Sequence, residues 1–227
     1  MSVISETVEH YFSSMNIPLF PGELRKNDAL FLYGAVSGEN PFVFTYVQKG
    51  TEVVHGPSCH VADEINIDAC RMDNVRIVAR RGGGGTVVLS DGMCITIVVG
   101  RRHGRYAQPI FDSIHHSMIA ALLKAGVKGC ECRGISDIAI NNKKVLGSSL
   151  YLGNKPDYFY YQSSFMVASD IALISRYLRY PPKEPDYRRN RDHGDFCTAL
   201  VHEGYTIGVD TVAELFCKEI TDAVTVR

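Results

Sequence analysis

Four consecutive glycines, Gly82 to Gly85, lie between Arg80-Arg81 and the run Thr86-Val87-Val88-Leu89. A glycine run is a poor helix or strand interior and reaches backbone conformations closed to residues with a Cβ, so the segment reads as a loop. The flanking stretches, Val75 to Ala79 and Val87 to Leu89, have the β-branched composition of strands, which makes it a strand-to-strand connection. N–H groups of successive glycines can converge on an anion, and an adjacent arginine supplies charge for a phosphate or carboxylate. A flexible turn is the plainer alternative. The run matches neither common nucleotide fingerprint, because no Lys-Ser/Thr follows the glycines and position 87 is Val where G-x-G-x-x-G requires Gly.

Other β-rich runs are Phe42 to Val47, Cys94 to Val99 and Asp137 to Ile140. The 3.6-residue period predicts a helix over Asp112 to Ala125, with Ile114, Met118, Ala121, Leu122 and Ala125 on one face and Gly126 as its stop. A second helix is expected from about Asp170 to Arg179, ahead of Pro181-Pro182. A third follows Asp210-Thr211, where Thr211 and Glu214 have capping-box spacing before Leu215, Phe216 and Ile220. Grouped strands with interspersed helices predict an α+β (mixed α/β) fold with a mixed, largely antiparallel sheet and packed helices. No linker, repeat or low-complexity tract divides the chain, so residues 1–227 are expected to form one domain.

Charge narrows the function. With 24 Lys+Arg against 25 Asp+Glu, the chain has no basic excess to hold nucleic acid or an anionic membrane. Its apolar runs fall far short of the ~20 residues that span a bilayer, and Met1 to His10 lacks a secretory pattern. Seven scattered cysteines suit reduced thiols in the cytoplasm better than a disulfide framework.

The segment Gly134-Ile135-Ser136-Asp137-Ile138-Ala139-Ile140-Asn141-Asn142-Lys143-Lys144-Val145-Leu146-Gly147-Ser148-Ser149 reads as a strand and turn that deliver Lys144 into a stretch of small residues. A compact ammonium with room beside it can hold a carboxylate next to a phosphate and offset charge that develops in acyl transfer. An ordinary polar hairpin with two surface lysines is the alternative.

Together these segments resemble the catalytic domain of the lipoate-protein ligase and octanoyltransferase families, which share the biotin/lipoate ligase fold. Val54-His55-Gly56-Pro57-Ser58-Cys59 through Glu64-Ile65-Asn66 is similar to the family's V-x-x-G-x-x-Q…E-x-N, with Cys59 at the glutamine. Arg80-Arg81, the glycines, Val88 and Asp91 match R-R-x-x-G-G-(G/R)-x-V-x-H-D, with Ser90 at the histidine. Lys144-Val145-Leu146-Gly147-Ser148-Ser149 matches K-(I/V/F)-x-G-(S/N)-A. Ile135-Ser136-Asp137 stands where the ligases have R-N-D, and Gln162 lies near a frequent histidine.

The resemblance implies that Lys144 is the essential lysine, which contacts the acyl carboxyl and adenylate phosphate. It implies that Arg81, Gly84, Gly85, Thr86 and Val87 hold nucleotide and acyl group, with Gly56, Gly147 and Ser148 in the same site, and that Asp137 is the acidic residue associated with Mg²⁺. The implied reaction condenses lipoate with ATP to lipoyl-adenylate, then passes the lipoyl group to a lysine of a lipoyl domain of a 2-oxoacid dehydrogenase subunit or of the glycine-cleavage H protein. The larger bacterial ligases carry a C-terminal accessory domain, whereas this sequence ends at Arg227; a separate accessory subunit, or no activation of lipoate alone, is therefore expected.

Three other readings compete. An ATP-independent octanoyl or lipoyl transferase of the same fold would use a cysteine thioester, for which Cys130 and Cys132 are the candidates, although buried cysteine is usually an inert hydrophobe. A non-catalytic module could hold an acyl group or lipoyl domain without reacting. A biotin ligase ranks last, since the chain lacks the G-R-G-R-x-G-R type of loop. A metal site from Cys130, Cys132, His115 and His116 lacks the paired spacing of structural zinc. Tyr158, Tyr160 and Tyr161 are candidates to line an acyl tunnel. The basic clusters Arg101 to Arg105 and Tyr187 to His193 are candidates to dock an acidic acceptor, the second also to fold over the acyl site.

Overall fold

In the computed structural model, residues 41–153 and 157–225 are described. The reading of Met1 to His10 lies outside them. Nine strands are found in this part of the chain: β1 Phe42–Val47, β2 Glu52–His55, β3 Arg76–Ala79, β4 Val87–Leu89, β5 Met93–Arg101, β6 Cys130–Arg133, β7 Asp137–Ile140, β8 Lys143–Leu152 and β9 Tyr158–Met166. The helices are α1 Val61–Glu64, α2 Ile67–Met72, α3 Ala107–Lys124, α4 Ala172–Tyr177, α5 His193–Phe196 and α6 Val209–Thr225. The strands form a six-stranded antiparallel sheet in the order β1-β5-β9-β8-β7-β6 and a three-stranded sheet in the order β3-β2-β4, where only the β2–β3 pair is parallel. The expected mixed α/β architecture with a largely antiparallel sheet is the one observed.

The large sheet is covered on both faces. On one, Ile114, Met118 and Leu122 of α3 and Val212, Phe216 and Ile220 of α6 pack against Val98, Leu146, Tyr161 and Phe165. On the other, Val53, Val54, Val88 and Leu89 of the small sheet pack with Ile95, Ala139 and Met166. This double cover explains why β5 is buried at every position but its last and shows no alternation of apolar and polar residues. It also accounts for two strands that the sequence conceals. In β8 and β9, small and polar residues (Gly147, Ser148, Ser149; Gln162, Ser163, Ser164) occupy the middle, where strand propensity looks for β-branched residues.

The helix boundaries moved in informative ways. Helix α3 begins at Ala107, ahead of the expected Asp112, because Pro109 falls in its first turn, where a missing N–H costs nothing. It stops as expected, with Gly126 at φ +86°. Helix α6 starts at Val209, so Thr211 lies inside the first turn instead of capping it. Helix α4 is shorter than the expected span, its start held by the Asp170 side chain accepting from the Ala172 N–H at 2.9 Å. Among the described residues no helix is long and apolar enough to cross a membrane.

Candidate active site

A narrow cleft opens between the two sheets, enclosing about 380 Å³ of space free of protein atoms, solvent at its mouth included. Val54, Val87, Leu89 and Ile95 give it an apolar side; Gly147, Ser148, Ser149, Gln162, Ser163 and Ser164 of β8 and β9 form the other, with Arg80 alongside.

The glycine loop is built from beneath by Arg80. Its buried guanidinium donates from Nη1 to the Val54 carbonyl at 3.2 Å and from Nη2 to the carbonyls of Gly83 (2.9 Å) and Gly85 (2.7 Å). The Cys59 thiol donates to the Gly84 carbonyl, Sγ to O 3.4 Å. In a trans peptide the C=O and the following N–H point opposite ways, so holding the Gly83 and Gly84 carbonyls turns the N–H groups of Gly84 and Gly85 away from these partners. The glycines are needed for contact as well as for conformation. A Cβ on Gly56 would lie 2.3 Å from the Gly84 carbonyl oxygen, and one on Gly82 would lie 2.7 Å from Ser149 Oγ, whereas Gly84 adopts φ +95°. At the far end of the loop, the buried Glu64 carboxylate accepts from the Thr86 N–H (3.2 Å) and hydroxyl (2.7 Å). Burial pushes this carboxyl up, but hydrogen bonds from Thr86 and the backbone outweigh it and hold the group below its ordinary range.

Lys144 reaches the same cleft by a different device. Asn141 and Asn142, both at positive φ, make the tight β7–β8 turn. Ala139 pairs with Lys144 and Ile138 with Leu146, leaving Val145 as the extra residue of a β-bulge. Val145 and Leu146 consequently both enter the core on the helix side, and Lys144 shares the opposite face with Gly147 and Asp137. The lysine stem crosses Gly147, where a Cβ would lie 2.8 Å from both Cε and Nζ. Nζ ion-pairs with Asp137 Oδ1 at 2.8 Å, and the Tyr187 hydroxyl donates to Asp137 Oδ2 at 2.9 Å. Burial, then the Asp137 charge, pushes the Tyr187 phenol up, which keeps it a donor. Gly147 and Ser149 are successive positions on one face of β8, so Lys144 and the glycine loop lie about 7 Å apart along that strand.

The fold thus brings together Gly56, Gly84, Gly85, Thr86, Val87, Asp137, Lys144, Gly147 and Ser148. Arg81, expected to hold nucleotide, is exposed, while its neighbour Arg80 is buried with its guanidinium on the carbonyls of Val54, Gly83 and Gly85. Thr86 spends its hydroxyl on Glu64, and Ser148 donates its own to the Ser136 carbonyl at 2.7 Å. Both Asp137 oxygens are taken by protein partners, and among the described residues no group of three or more His, Cys, Asp or Glu could hold a metal. As arranged here the donor set does not fit a resident Mg²⁺.

Cys130 and Cys132 are not brought to the cleft. They pair with Ile140 and Ile138, whose side chains enter the helix-side core, and Cys130 packs against that core. Burial pushes the Cys130 thiol up to about 11 and raises Cys132 as well. None of Tyr158, Tyr160 and Tyr161 lines the cleft; Tyr161 stands edge-on to Phe111 and His115, and Arg101 sits over the Tyr158 ring. The cluster Arg101 to Arg105 is a self-bonded turn, with Arg102 Nε to the Arg105 carbonyl at 3.0 Å. The second cluster does fold over the site. Tyr187 and Arg188 are buried, and Arg191 Nη2 donates to the Asn142 carbonyl at 2.9 Å. The sequence placed Tyr187 only within a basic cluster and Glu64 only within the E-x-N motif; that they bond Asp137 and Thr86 is visible only in the fold.

A glycine loop and a lysine facing a slot between a large antiparallel sheet and a small one define a biotin/lipoate ligase-like catalytic domain. The lipoyl protein ligase A/B catalytic domain profile matches residues 27–221, and the chain belongs to that family. Among solved structures, the bipartite lipoate protein ligase of Thermoplasma acidophilum superposes with a TM-score of 0.73 at 17% identity, covering 88% of this chain and 76% of that one. A lipoate-protein ligase A bound with ATP gives 0.72 at 16%, covering 88% and 78%. P. falciparum LipL1 in complex with lipoate gives 0.66 at 16%, covering 96% and 56%. Among curated proteins, none matches the sequence significantly.

Proposed function

We propose that this protein activates lipoate with ATP and transfers the lipoyl group to a lysine of a lipoyl-domain or H-protein acceptor. Lys144 crossing Gly147 to the mouth of the cleft, opposite the outward amides of Gly84 and Gly85, carries this reading. Structures of similar fold bind ATP in one case and lipoate in another, which supports the same pair of substrates. In the first step, a lipoate carboxylate oxygen attacks the α-phosphorus of Mg-ATP, forming the mixed anhydride and expelling pyrophosphate. The Mg²⁺ arrives as part of the nucleotide, held by phosphate oxygens. In the second step, the acceptor amine attacks the acyl carbon, the C–N bond forms, the C–O bond breaks and AMP leaves.

The chain's own groups position and neutralise. The apolar side of the cleft holds the acyl chain, the loop amides face the carboxyl and phosphate oxygens, and the exposed Arg81 meets the phosphates. A substrate anion accepts from the Lys144 ammonium alongside Asp137, since an ammonium has three protons and Asp137 takes only one of them. Preorganised donors of this kind lower the barrier without reorganising at the moment of reaction.

Intact-mass measurement of an apo lipoyl domain tests this. Modification with lipoate plus Mg-ATP that disappears in Lys144→Ala is the expected result. Modification from octanoyl acyl carrier protein without ATP would move the assignment to the transferase reading. Product from synthetic lipoyl-adenylate alone would point to an accessory subunit for the first step. No product from any donor overturns catalysis in favour of a binding module.

A further inference from the structure

Helix α3 buries apolar residues apart from Ser117, whose hydroxyl returns to the Ser113 carbonyl at 2.9 Å, and His115. His115 is 1% exposed and lies between Phe111 and Tyr161 at ring distances of 5.7 and 5.9 Å. Its Nε2 is 3.1 Å from Ser148 Oγ. Ser148 has one hydroxyl proton, and that proton goes to the Ser136 carbonyl at 2.7 Å; the Ser148 N–H donates to the same carbonyl at 2.9 Å. The Ser148 oxygen therefore offers His115 only lone pairs, and the imidazole must carry its proton on Nε2. The charged or titratable groups facing the ring are Asp137, Asp112, His116 and the Tyr161 phenol, but burial outweighs the carboxylates and pulls the histidine down to about 4, leaving a neutral donor at neutral pH.

A buried N–H needs a partner, but many core carbonyls could serve. Here the partner leads elsewhere. Ser136 is the residue before Asp137, in the β6–β7 turn, and Asp137 carries the Lys144 ammonium. The relay runs from a rigid helix, through one serine on β8, to the turn that aims the carboxylate.

We infer that His115 is a positioning residue, acting through Ser148 and the Ser136 carbonyl to fix Asp137 and hence Lys144 for catalysis. This rests on the function proposed above. The group touches no substrate, so its loss lowers turnover and leaves substrate binding in place.

The test uses the full chain, synthetic lipoyl-adenylate and an apo lipoyl domain, with kcat and KM measured separately. His115→Leu removes the donor and should lower kcat about 10- to 30-fold with KM for the adenylate within about twofold, the range for misplacing a catalytic group by a fraction of its reach. His115→Gln, whose Nε2–H occupies a similar position, should recover kcat to within about threefold of wild type. Ser148→Ala should match His115→Leu, and the double variant should be no worse than either, because both break one chain. Should His115→Leu not fold, Ser148→Ala carries the same expectation.

Undiminished kcat in His115→Leu or Ser148→Ala, a change in KM alone, or a folded His115→Gln as slow as His115→Leu overturns the inference. Ring-nitrogen NMR adds a readout that needs no activity: a proton on Nδ1 in place of Nε2 also overturns it. Wild-type protein that transfers nothing sinks the functional reading, whereas active wild type with an equally active His115→Leu sinks the inference alone.

Discussion

The two halves of the site are assembled by opposite means. At residues 82–86, buried side chains serve the backbone: Arg80 and Glu64 hold carbonyls and an N–H from below, which leaves the N–H groups of Gly84 and Gly85 turned away from them. At the β7–β8 hairpin the backbone serves a side chain. There a bulge and a glycine clear a path for Lys144, whose ammonium rests on Asp137. The first arrangement is fixed by the fold and cannot adjust without breaking several hydrogen bonds. The second is a single ion pair with the lysine side chain about a quarter exposed, so the ammonium can pivot on Asp137 to meet a substrate anion.

Two glycine substitutions break this comparison most sharply. In Gly147→Ala the new Cβ meets only the far end of the Lys144 side chain, which can swing away. We expect roughly a 100-fold loss of transfer activity, equivalent to about 2.7 kcal/mol, with only about 1 kcal/mol of stability lost in urea unfolding as Asp137 gives up the ammonium and keeps Tyr187. In Gly56→Ala the new Cβ meets the Gly84 carbonyl, which Arg80 and its neighbours hold in place. Here activity should fall together with about 1–3 kcal/mol of stability, read from the same urea curves. Equal stability losses in the two variants would erase the distinction between a rigid half and an adjustable one.

A pH series tests the buried relay behind the adjustable half. The folded pKa of His115 is lowered to about 4 from an ordinary value of 6.5, so between these limits the unfolded chain binds the extra proton and stability rises with pH. As pH falls from 7 to 4, this one group should withdraw about 2–3 kcal/mol. Subtracting the same urea series for His115→Gln isolates it; a flat difference between the two would show that the ring is not buried neutral.

The smallest expected effect sharpens the role of the strap over the hairpin. Tyr187→Phe removes one hydrogen bond to a buried carboxylate and should cost about 1–2 kcal/mol, with Lys144 still able to satisfy Asp137. Activity should change only a few-fold. A loss as large as that of Gly147→Ala would make Tyr187 part of the catalytic machinery instead of its cover.

Much of this was legible beforehand. The fold class, the glycine loop and the arrival of Lys144 among small residues all follow from local pattern, because glycine runs, turn residues and periodic apolar faces act on their own neighbourhood. What failed concerned direction. Arg80 and Arg81 are adjacent and chemically identical, and only the carbonyls that the fold gathers from β2 and the glycine loop take the first inward. The cysteines of β6 looked available in sequence, but their strand register aims them at the helix-side core.

The sequence by itself determined where the backbone bends without a Cβ, where the long helices and the β-branched strands form, and which segment delivers a lysine, since these depend on residues within a turn or two of each other. Only the tertiary structure decided what each polar group faces. Glu64 meets Thr86, His115 meets Ser148, and Tyr187 meets Asp137 across separations of 22, 33 and 50 residues. Burial makes each such pairing obligatory once the sheets close, because a polar group removed from water must find its partner wherever the fold has brought one.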